Sequence, residues 1–126
     1  MNLLIRNWID EHDLVAYSLN FVNIDRSSGF ECVPFVEACK SMARGIGFAG
    51  ERDILTASLC GALLKVYPET SFTEMFCPDW KGNSIFLSHM GEMNELTANH
   101  LAIVYRDVID SLVAFGSIMK FKVVTI

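Results

Sequence analysis

The amino-acid sequence predicts an α/β fold in which helices flank a parallel strand and an antiparallel β hairpin follows them. Residues 14–22 form a nearly continuous apolar run, which is typical of a strand buried on both faces of a parallel sheet. Segments with helical periodicity lie on both sides of this run. Residues 70–77 and 84–90 are β-prone segments separated by a turn sequence, which predicts the hairpin.

The first predicted helix covers residues 3–12, where Leu4, Trp8 and Ile9 lie on related faces. The polar segment between the apolar run and Pro34 is predicted as a loop. Pro34 opens a second helix, because a missing N–H does no harm in the first helical turn. The apolar face of this second helix comprises Val36, Cys39, Met42 and Ala43.

Three glycines, Gly45, Gly47 and Gly50, follow the second helix and are predicted to lie in one loop. Glycine allows a positive φ and lets the backbone approach a partner or ligand closely. The G-x-G-x-x-G spacing also matches the dinucleotide-binding fingerprint. That fingerprint requires a strand before the glycines, whereas the sequence predicts a helix there, so we reject the dinucleotide interpretation.

A third helix is predicted to begin near residues 51–53 and to run to about Val66, with Pro68 ending it. Its acidic first turn, which contains Glu51 and Asp53, suits the helix dipole. Apolar side chains cover nearly the whole circumference of this helix. We therefore expect it to be buried on more than one side.

The turn between the two hairpin strands is marked by Lys81-Gly82-Asn83, and residues 91–99 are predicted as a loop. Three short segments beyond that loop are apolar and β-branched, which predicts a β-rich tail. These segments are residues 101–105, 112–115 and 121–125.

Composition restricts the class of protein. The 126 residues suffice for one compact domain, and a hydrophobic content of 52% excludes disorder over most of the chain. A formal net charge of −5 and the absence of any Lys/Arg run predict no binding to nucleic acid or to an anionic membrane surface. Apolar stretches fall short of the roughly 20 residues of a spanning helix, and the N-terminus lacks a signal-peptide pattern. We therefore expect no membrane association and a cytoplasmic location.

The cysteine pattern indicates neither a zinc site nor a redox motif. The four cysteines show no C-x-x-C spacing, and no histidine lies at zinc-finger spacing from them. Cys39 and Cys60 fall among apolar residues of predicted helices. We therefore predict buried, reduced thiols.

Glu51, Glu74 and His89 are the candidate functional residues. Glu51 follows the glycines, Glu74 lies within the first hairpin strand, and His89 lies near the end of the second. Antiparallel pairing about the turn makes Glu74 and His89 near neighbours. Two carboxylates and an imidazole suit Mn²⁺, Fe²⁺ or Zn²⁺. The same residues also suit structural roles: a helix-dipole partner, a solvent-facing strand residue and a structural histidine.

Three sequence blocks resemble those of bacterial L-arabinose isomerases. Residues 45–57 look like that family's G-x-G-F-x-G-E-G-D-x-x-T-A segment, and residues 70–74 look like its T-S-F-x-E. Residues 82–83 and 88–92 look like its G-N…S-H-M-x-E. The blocks occur in the family's order and the resemblance covers roughly residues 1–94. The wider group includes L-fucose isomerase-like sugar isomerases.

The resemblance implies metal-dependent aldose–ketose isomerisation of the L-arabinose or L-fucose type through an ene-diol. Glu51, Glu74 and His89 fall on three of the family's four metal ligands, with Mn²⁺ or another divalent cation as cofactor and a small sugar as substrate. Glu51 and Glu74 also fall on the family's proton-transfer groups. Glu92 is expected either to support these ligands or to be an exposed loop carboxylate, and Asp53 is expected to cap the helix.

The fold implied by the resemblance is part of a Rossmann-like three-layer central domain over residues 1–94. It leads through the hairpin into a β-rich tail over residues 95–126, which would be a truncated C-terminal domain. Arg52 stands where the family has glycine, and the family's fourth ligand histidine comes from a later part of its sequence. We therefore expect an incomplete fragment with weak or no activity alone, acting as a homo-oligomer or with a missing-domain partner.

Two alternatives remain open. The first is a non-catalytic α/β module or truncated product that acts through subunit association, which the high apolar content favours. The second is an unrelated small α/β binding domain in which the glutamates have structural roles.

Overall fold

The structure is a computed structural model that describes residues 2–29, 32–88, 92–97, 102–108, 112–118 and 122–125. The α-helices in these ranges are α1 (Asn2–Glu11), α2 (Phe35–Ala43) and α3 (Ile54–Leu64). Short 3-10 helices lie at Phe21–Asn23, Arg26–Ser28 and Glu95–Thr97. The strands are β1 (Ala16–Ser18), β2 (Cys32–Val33), β3 (Gly47–Ala49), β4 (Glu74–Asp79), β5 (Ser84–Ser88), β6 (Ala102–Val108), β7 (Leu112–Ile118) and β8 (Lys122–Thr125). A parallel strand pair flanked by helices confirms the predicted α/β class.

The strands of the described residues form three sheets. β1 and β3 pair in parallel, with Tyr17 opposite Phe48. β5 pairs antiparallel with both β4 and β8. β7 pairs in parallel with β2 and antiparallel with β6. The predicted tail strands are confirmed, and the division of the chain into residues 1–94 and 95–126 stays a prediction.

The apolar run over residues 14–22 is a strand in its middle part alone. β1 covers three residues, and the chain then turns into the 3-10 helix Phe21–Asn23. Since β1 pairs with the three residues of β3, its ladder ends where its partner ends. Tyr17 is buried, but Ala16 and Ser18 are only partly buried, so the prediction of a strand buried on both faces is wrong for β1.

The core forms where the three α-helices meet the β1–β3 pair. Its buried cluster comprises Ile9, Tyr17, Ala38, Met42, Phe48, Cys60 and Leu64. Tyr17 and Phe48 pack edge to face with ring centroids 5.1 Å apart, and Phe48 and Phe72 do so at 6.5 Å. Such aromatic pairs add about 0.5–1.5 kcal/mol beyond area burial. Phe72 therefore links the segment before β4 to the parallel strands.

A buried carboxylate joins α1 to α2. Glu37 accepts two hydrogen bonds from Arg6, through Nε and Nη2 at 3.1 Å each, and one from Arg44 Nη2 at 2.8 Å. Its partners hold the charge in place, as burial of a carboxylate requires. The hydrogen bond and the charge of Glu37 raise the pKa of Arg6.

α2 ends in a turn that depends on Gly45. Gly45 has a φ of 83°, and its N–H donates to Met42 O at 2.9 Å. The N–H of Ile46 donates to Ser41 O at 2.9 Å. This is the hydrogen-bond pattern of a Schellman motif, in which a left-handed residue satisfies the last carbonyls of a helix.

The prediction that the three glycines share one loop is wrong. Gly45 ends α2, Gly47 is the first residue of β3, and Gly50 follows that strand directly. Strand β3 was missed because its pairing with β1 is non-local and no alternating pattern marks so short a segment. The first glycine precedes the strand, an order that differs from the dinucleotide fingerprint.

α3 approaches β3 closely at two glycines. A Cβ added to Gly61 would lie 2.8 Å from Val15 O and 3.3 Å from Gly47 N. A Cβ added to Gly47 would collide with the backbone of Ala57 and Gly61. The backbones of α3 and β3 therefore meet without side chains between them.

α3 buries one face and exposes the other. The buried residues are Ala57, Cys60, Gly61 and Leu64. Leu55 and Leu59 lie on the opposite side and are exposed. The expectation that this helix is buried on more than one side is wrong for the described residues. Cys39 and Cys60 are buried thiols, as predicted, and burial raises the pKa of Cys60.

Among the helices that the structure describes, none combines the length and the hydropathy that a membrane crossing requires.

The hairpin is confirmed, and its register agrees with the predicted pairing about the turn. The paired residues include Glu74 with Ser88 and Asp79 with Ser84. A bulge interrupts β4 between Met75 and Cys77. Glu74 is the first residue of β4 and not a mid-strand residue as predicted. Residues 70–73 precede the strand, and Thr70 instead donates its N–H to Tyr67 O at 2.9 Å in the turn after α3.

Candidate functional site

Glu51 lies in the turn between β3 and α3, at the carboxyl end of the parallel strands. Ligands of α/β sheets bind outside this end. Ser18, the last residue of β1, donates its hydroxyl to Ala49 O at 2.7 Å and so ties the two strand ends together. Glu51 is exposed and has a φ of 57°. It precedes the helix N-cap Asp53, so the prediction that Glu51 lies in the first turn of this helix is wrong.

Arg52 continues this turn in the same unusual conformation. Its φ is 67°, and its N–H donates to Leu19 O at 3.3 Å. A left-handed conformation costs a non-glycine residue about 1–2 kcal/mol. This backbone geometry gives a physical reason for the glycine that the L-arabinose isomerase pattern has at this position.

Asp53 is the N-cap of α3, as predicted. Its carboxylate accepts hydrogen bonds from both the hydroxyl and the backbone N–H of Thr56, the latter at 2.9 Å. These hydrogen bonds lower the pKa of Asp53. Asp53 therefore orients the start of α3, and thereby the turn that carries Glu51.

Glu74 opens the hairpin and is half-buried. Its backbone partner is Ser88, the last residue of β5. His89 follows Ser88 in the sequence and lies outside the described residues. The predicted proximity of Glu74 and His89 therefore stays a prediction.

Glu92 is buried, with 1% of its surface exposed, so the alternative of an exposed loop carboxylate is wrong. A Cβ added to Gly50 would lie 3.7 Å from Glu92 Oε1 and 3.7 Å from a ring carbon of Phe72. Gly50 directly precedes Glu51, and Phe72 lies two residues before Glu74. One residue from each of the three sequence blocks therefore meets at Gly50.

Asn94 anchors the segment that carries Glu92, a role that the sequence analysis missed. Its side-chain amide donates to Pro68 O at 2.7 Å and to Thr70 O at 2.8 Å. Its backbone N–H donates to Ser71 Oγ at 2.9 Å, and its side-chain oxygen accepts from Leu96 N. An asparagine in a polar segment is ordinary turn composition, so no local signal marks this contact.

The predicted metal centre is not assembled by the described residues alone. Within the described ranges, no group of three His, Cys, Asp or Glu side chains is arranged to hold a metal ion. Carboxylates such as those of Glu51 and Glu74 suit Mn²⁺ as ligands, but His89 lies outside these ranges.

The chain is similar to L-arabinose isomerase of Pediococcus pentosaceus, with 34% identity over 100 residues. The similar region covers 75% of this chain and 20% of that enzyme, so the chain spans about a fifth of the length of this curated relative. No family model matches the chain. The comparison supports a partial relation to L-arabinose isomerase and does not extend to the whole enzyme.

Proposed function

We propose that this chain carries part of a sugar isomerase site that interconverts an aldose and a ketose of the L-arabinose type. The meeting of the three motif blocks at Gly50 is the observation that supports this proposal most directly. The partial similarity to L-arabinose isomerase points to the same chemistry. Since the chain spans about a fifth of that enzyme, we expect weak or no turnover by the chain alone.

The proposed chemistry uses the two candidate carboxylates. One of Glu51 and Glu74 removes the proton from C2 of the open-chain sugar and returns it to C1. The other moves the hydroxyl proton from O2 to O1, which completes the conversion through an ene-diol. Mn²⁺ or another divalent cation is the proposed cofactor, with Glu51, Glu74 and His89 as its proposed ligands; it would act as a Lewis acid that polarises the sugar carbonyl.

Proton exchange at C2 tests this proposal more sensitively than ketose formation. The full chain is incubated with L-arabinose and Mn²⁺ in D₂O, and deuterium at C2 is followed by NMR. We expect slow exchange that Glu74→Gln reduces by about 10²-fold or more, the contribution of a general acid or base. Glu51→Gln is expected to act in the same direction.

The matched control is Glu69→Gln, which changes an exposed carboxylate in the turn after α3. It should leave the exchange rate unchanged, and all variants should keep the melting temperature of the original chain. No exchange, together with no Mn²⁺-dependent rise in melting temperature, would contradict the proposal.

A non-catalytic module that acts through subunit association is the second candidate function. The exposed apolar face of α3 favours it, since soluble proteins seldom expose a contiguous apolar patch without a partner. Self-association without C2 exchange would support this candidate over the isomerase site.

A further inference from the structure

The exposed face of α3 carries a regular row of apolar residues. We call this row the α3 seam: Leu55, Leu59, Ala62 and Val66. Leu55 is 82% exposed, Leu59 is 59% exposed and Val66 is 69% exposed. We propose that the α3 seam is the interface of a two-fold homodimer in which the α3 helices of two copies pack antiparallel.

The spacing of the seam residues favours a helix as the partner. Steps of four, three and four residues are the a/d pattern by which helices interlock side chains along a shared seam. The helical path continues beyond Leu64, because Lys65 is in the right-handed helical conformation and Tyr67 N–H donates to Leu63 O at 2.7 Å. Val66 therefore lies on the same stripe. Ala62 lets the two backbones approach closely in the middle of the seam.

Charge favours a second copy of this chain as that helix. α3 itself contains no Asp, Glu, Lys, Arg or His, so pairing two copies along the seam buries no unpaired charged side chain. Glu51 and Asp53 precede α3, and Lys65 follows it; all three are exposed. With Arg52 included, the start of α3 carries a net negative charge and Lys65 a positive one. Antiparallel pairing places Lys65 of one copy beside the acidic start of the other.

The helix dipoles support the same orientation, because antiparallel helices place opposite partial charges side by side. Two-fold symmetry uses the same surface on both copies, so the assembly ends at two subunits. In this arrangement Leu55 faces Val66 of the other copy, and Leu59 faces Ala62. An interface of two short helical seams falls below the roughly 1,200 Å² of a standard interface. We therefore expect a weak dimer that dissociates on dilution in the micromolar range.

Sedimentation equilibrium of the full chain over micromolar to submillimolar concentrations tests the proposal. We expect the mass to rise from 14.1 kDa toward twice that value. Leu59→Glu should abolish the rise, because it places a charge in the middle of the seam. Lys65→Glu should weaken the dimer at low salt and less so at high salt, because it changes a screened charge pair at the rim.

The matched control is Val22→Glu, which adds the same charge at an apolar side chain that is 77% exposed and lies on another element. It should leave the dimer intact. Circular dichroism and melting temperature verify that each variant is folded. A monomer at every concentration, an association that Leu59→Glu leaves unchanged, or a larger assembly without a dimer would each overturn the proposal.

Discussion

Arg52 stores backbone strain in the turn that carries Glu51. Its φ of 67° is unfavourable for any residue with a Cβ. We expect Arg52→Gly to raise the free energy of unfolding by about 1 kcal/mol, because relief of about 1–2 kcal/mol exceeds the entropic cost of glycine. Urea denaturation measures the change.

Arg52→Ala is the control for this prediction, since it removes the guanidinium group and keeps the Cβ. It should give no comparable gain. An equal gain from alanine and glycine would show that the charge, and not the backbone conformation, limits stability at this position.

Asp53 makes stability depend on pH through its capping hydrogen bonds. Since the folded protein lowers the pKa of Asp53 below its ordinary value of 3.8, the carboxylate's contribution is present above that value and is lost as the pH falls through the folded pKa. Asp53→Asn keeps a capping acceptor but does not titrate. We expect near-original stability at neutral pH and a shallower loss in acid, measured by urea denaturation across that range.

Thr56→Val provides the complementary control, because it removes the hydroxyl donor to Asp53 while Asp53 still titrates. Its acid sensitivity should lie between those of the original chain and Asp53→Asn. Parallel curves of stability against pH for all three proteins would contradict the attribution of this acid sensitivity to Asp53.

Asp53 and Glu92 show which residue roles can be predicted from the sequence. The cap at Asp53 depends on residues three positions apart, so local sequence reveals it. The burial of Glu92 depends on its docking beside Gly50, which lies 42 residues earlier in the chain. No local pattern reports such a contact, so both an exposed and a supporting role were compatible with the sequence.

At the level of elements, α3 packs closely on β3 at Gly47 and Gly61. An exposed helical glycine is normally about 1 kcal/mol less favourable than alanine, so replacement would stabilise the helix. We expect the opposite at Gly61, because an added Cβ would lie 2.8 Å from Val15 O. Gly61→Ala should destabilise the protein by about 1–3 kcal/mol through overpacking.

Ser58→Ala is the matched control, since Ser58 is an exposed residue of the same helix. This change should be neutral or slightly stabilising in the same thermal unfolding experiment. A gain in stability from Gly61→Ala would show that α3 can move away from β3 at little cost.

The helices and the hairpin were predicted because their signals are local. Periodicity, Pro34 and the turn at Lys81-Gly82-Asn83 mark them in the sequence. β3 was missed because a three-residue strand owes its existence to its partner. The apolar circumference of α3 indicated burial on several sides, but it could not show which side another part of this chain would cover.

At the scale of the whole molecule, Asn94 connects the segment after the hairpin to the segment between α3 and β4. We expect Asn94→Ala to lower the free energy of unfolding by about 1–3 kcal/mol, because the carbonyls of Pro68 and Thr70 would lose their part-buried hydrogen bonds from the Asn94 amide. Hydrogen exchange of the backbone amides of residues 69–72 should also accelerate. Thermal unfolding and exchange mass spectrometry measure the two effects.

Leu96→Ala is the control within the same segment, because Leu96 is half-exposed. It should cost less stability and leave the amide exchange of residues 69–72 nearly unchanged. Equal effects of the two substitutions would argue that general packing, rather than the Asn94 amide, fastens this segment.

The candidate site was predicted from the sequence as a set of residues, and its arrangement depends on the whole molecule. The order of the three sequence blocks identified Glu51 and Glu74 as candidate residues. The hairpin register agrees with the pairing that the turn sequence predicts. Glu51 in a left-handed turn and the contacts at Gly50 arise from tertiary packing, which residue spacing does not encode. The position of His89 and its proposed metal ligation stay predictions.

The bulge in β4 determines which face of the sheet Glu74 lies on, because it adds one residue between Met75 and Cys77. Glu74 pairs with Ser88 and Asp79 with Ser84, so five residue steps along β4 match four steps along β5. In an unbroken strand, residues five apart face opposite sides. Regular pairing of the same sequence, without the bulge, would therefore turn Glu74 to the other face of the sheet while every residue of the candidate site remained in the chain.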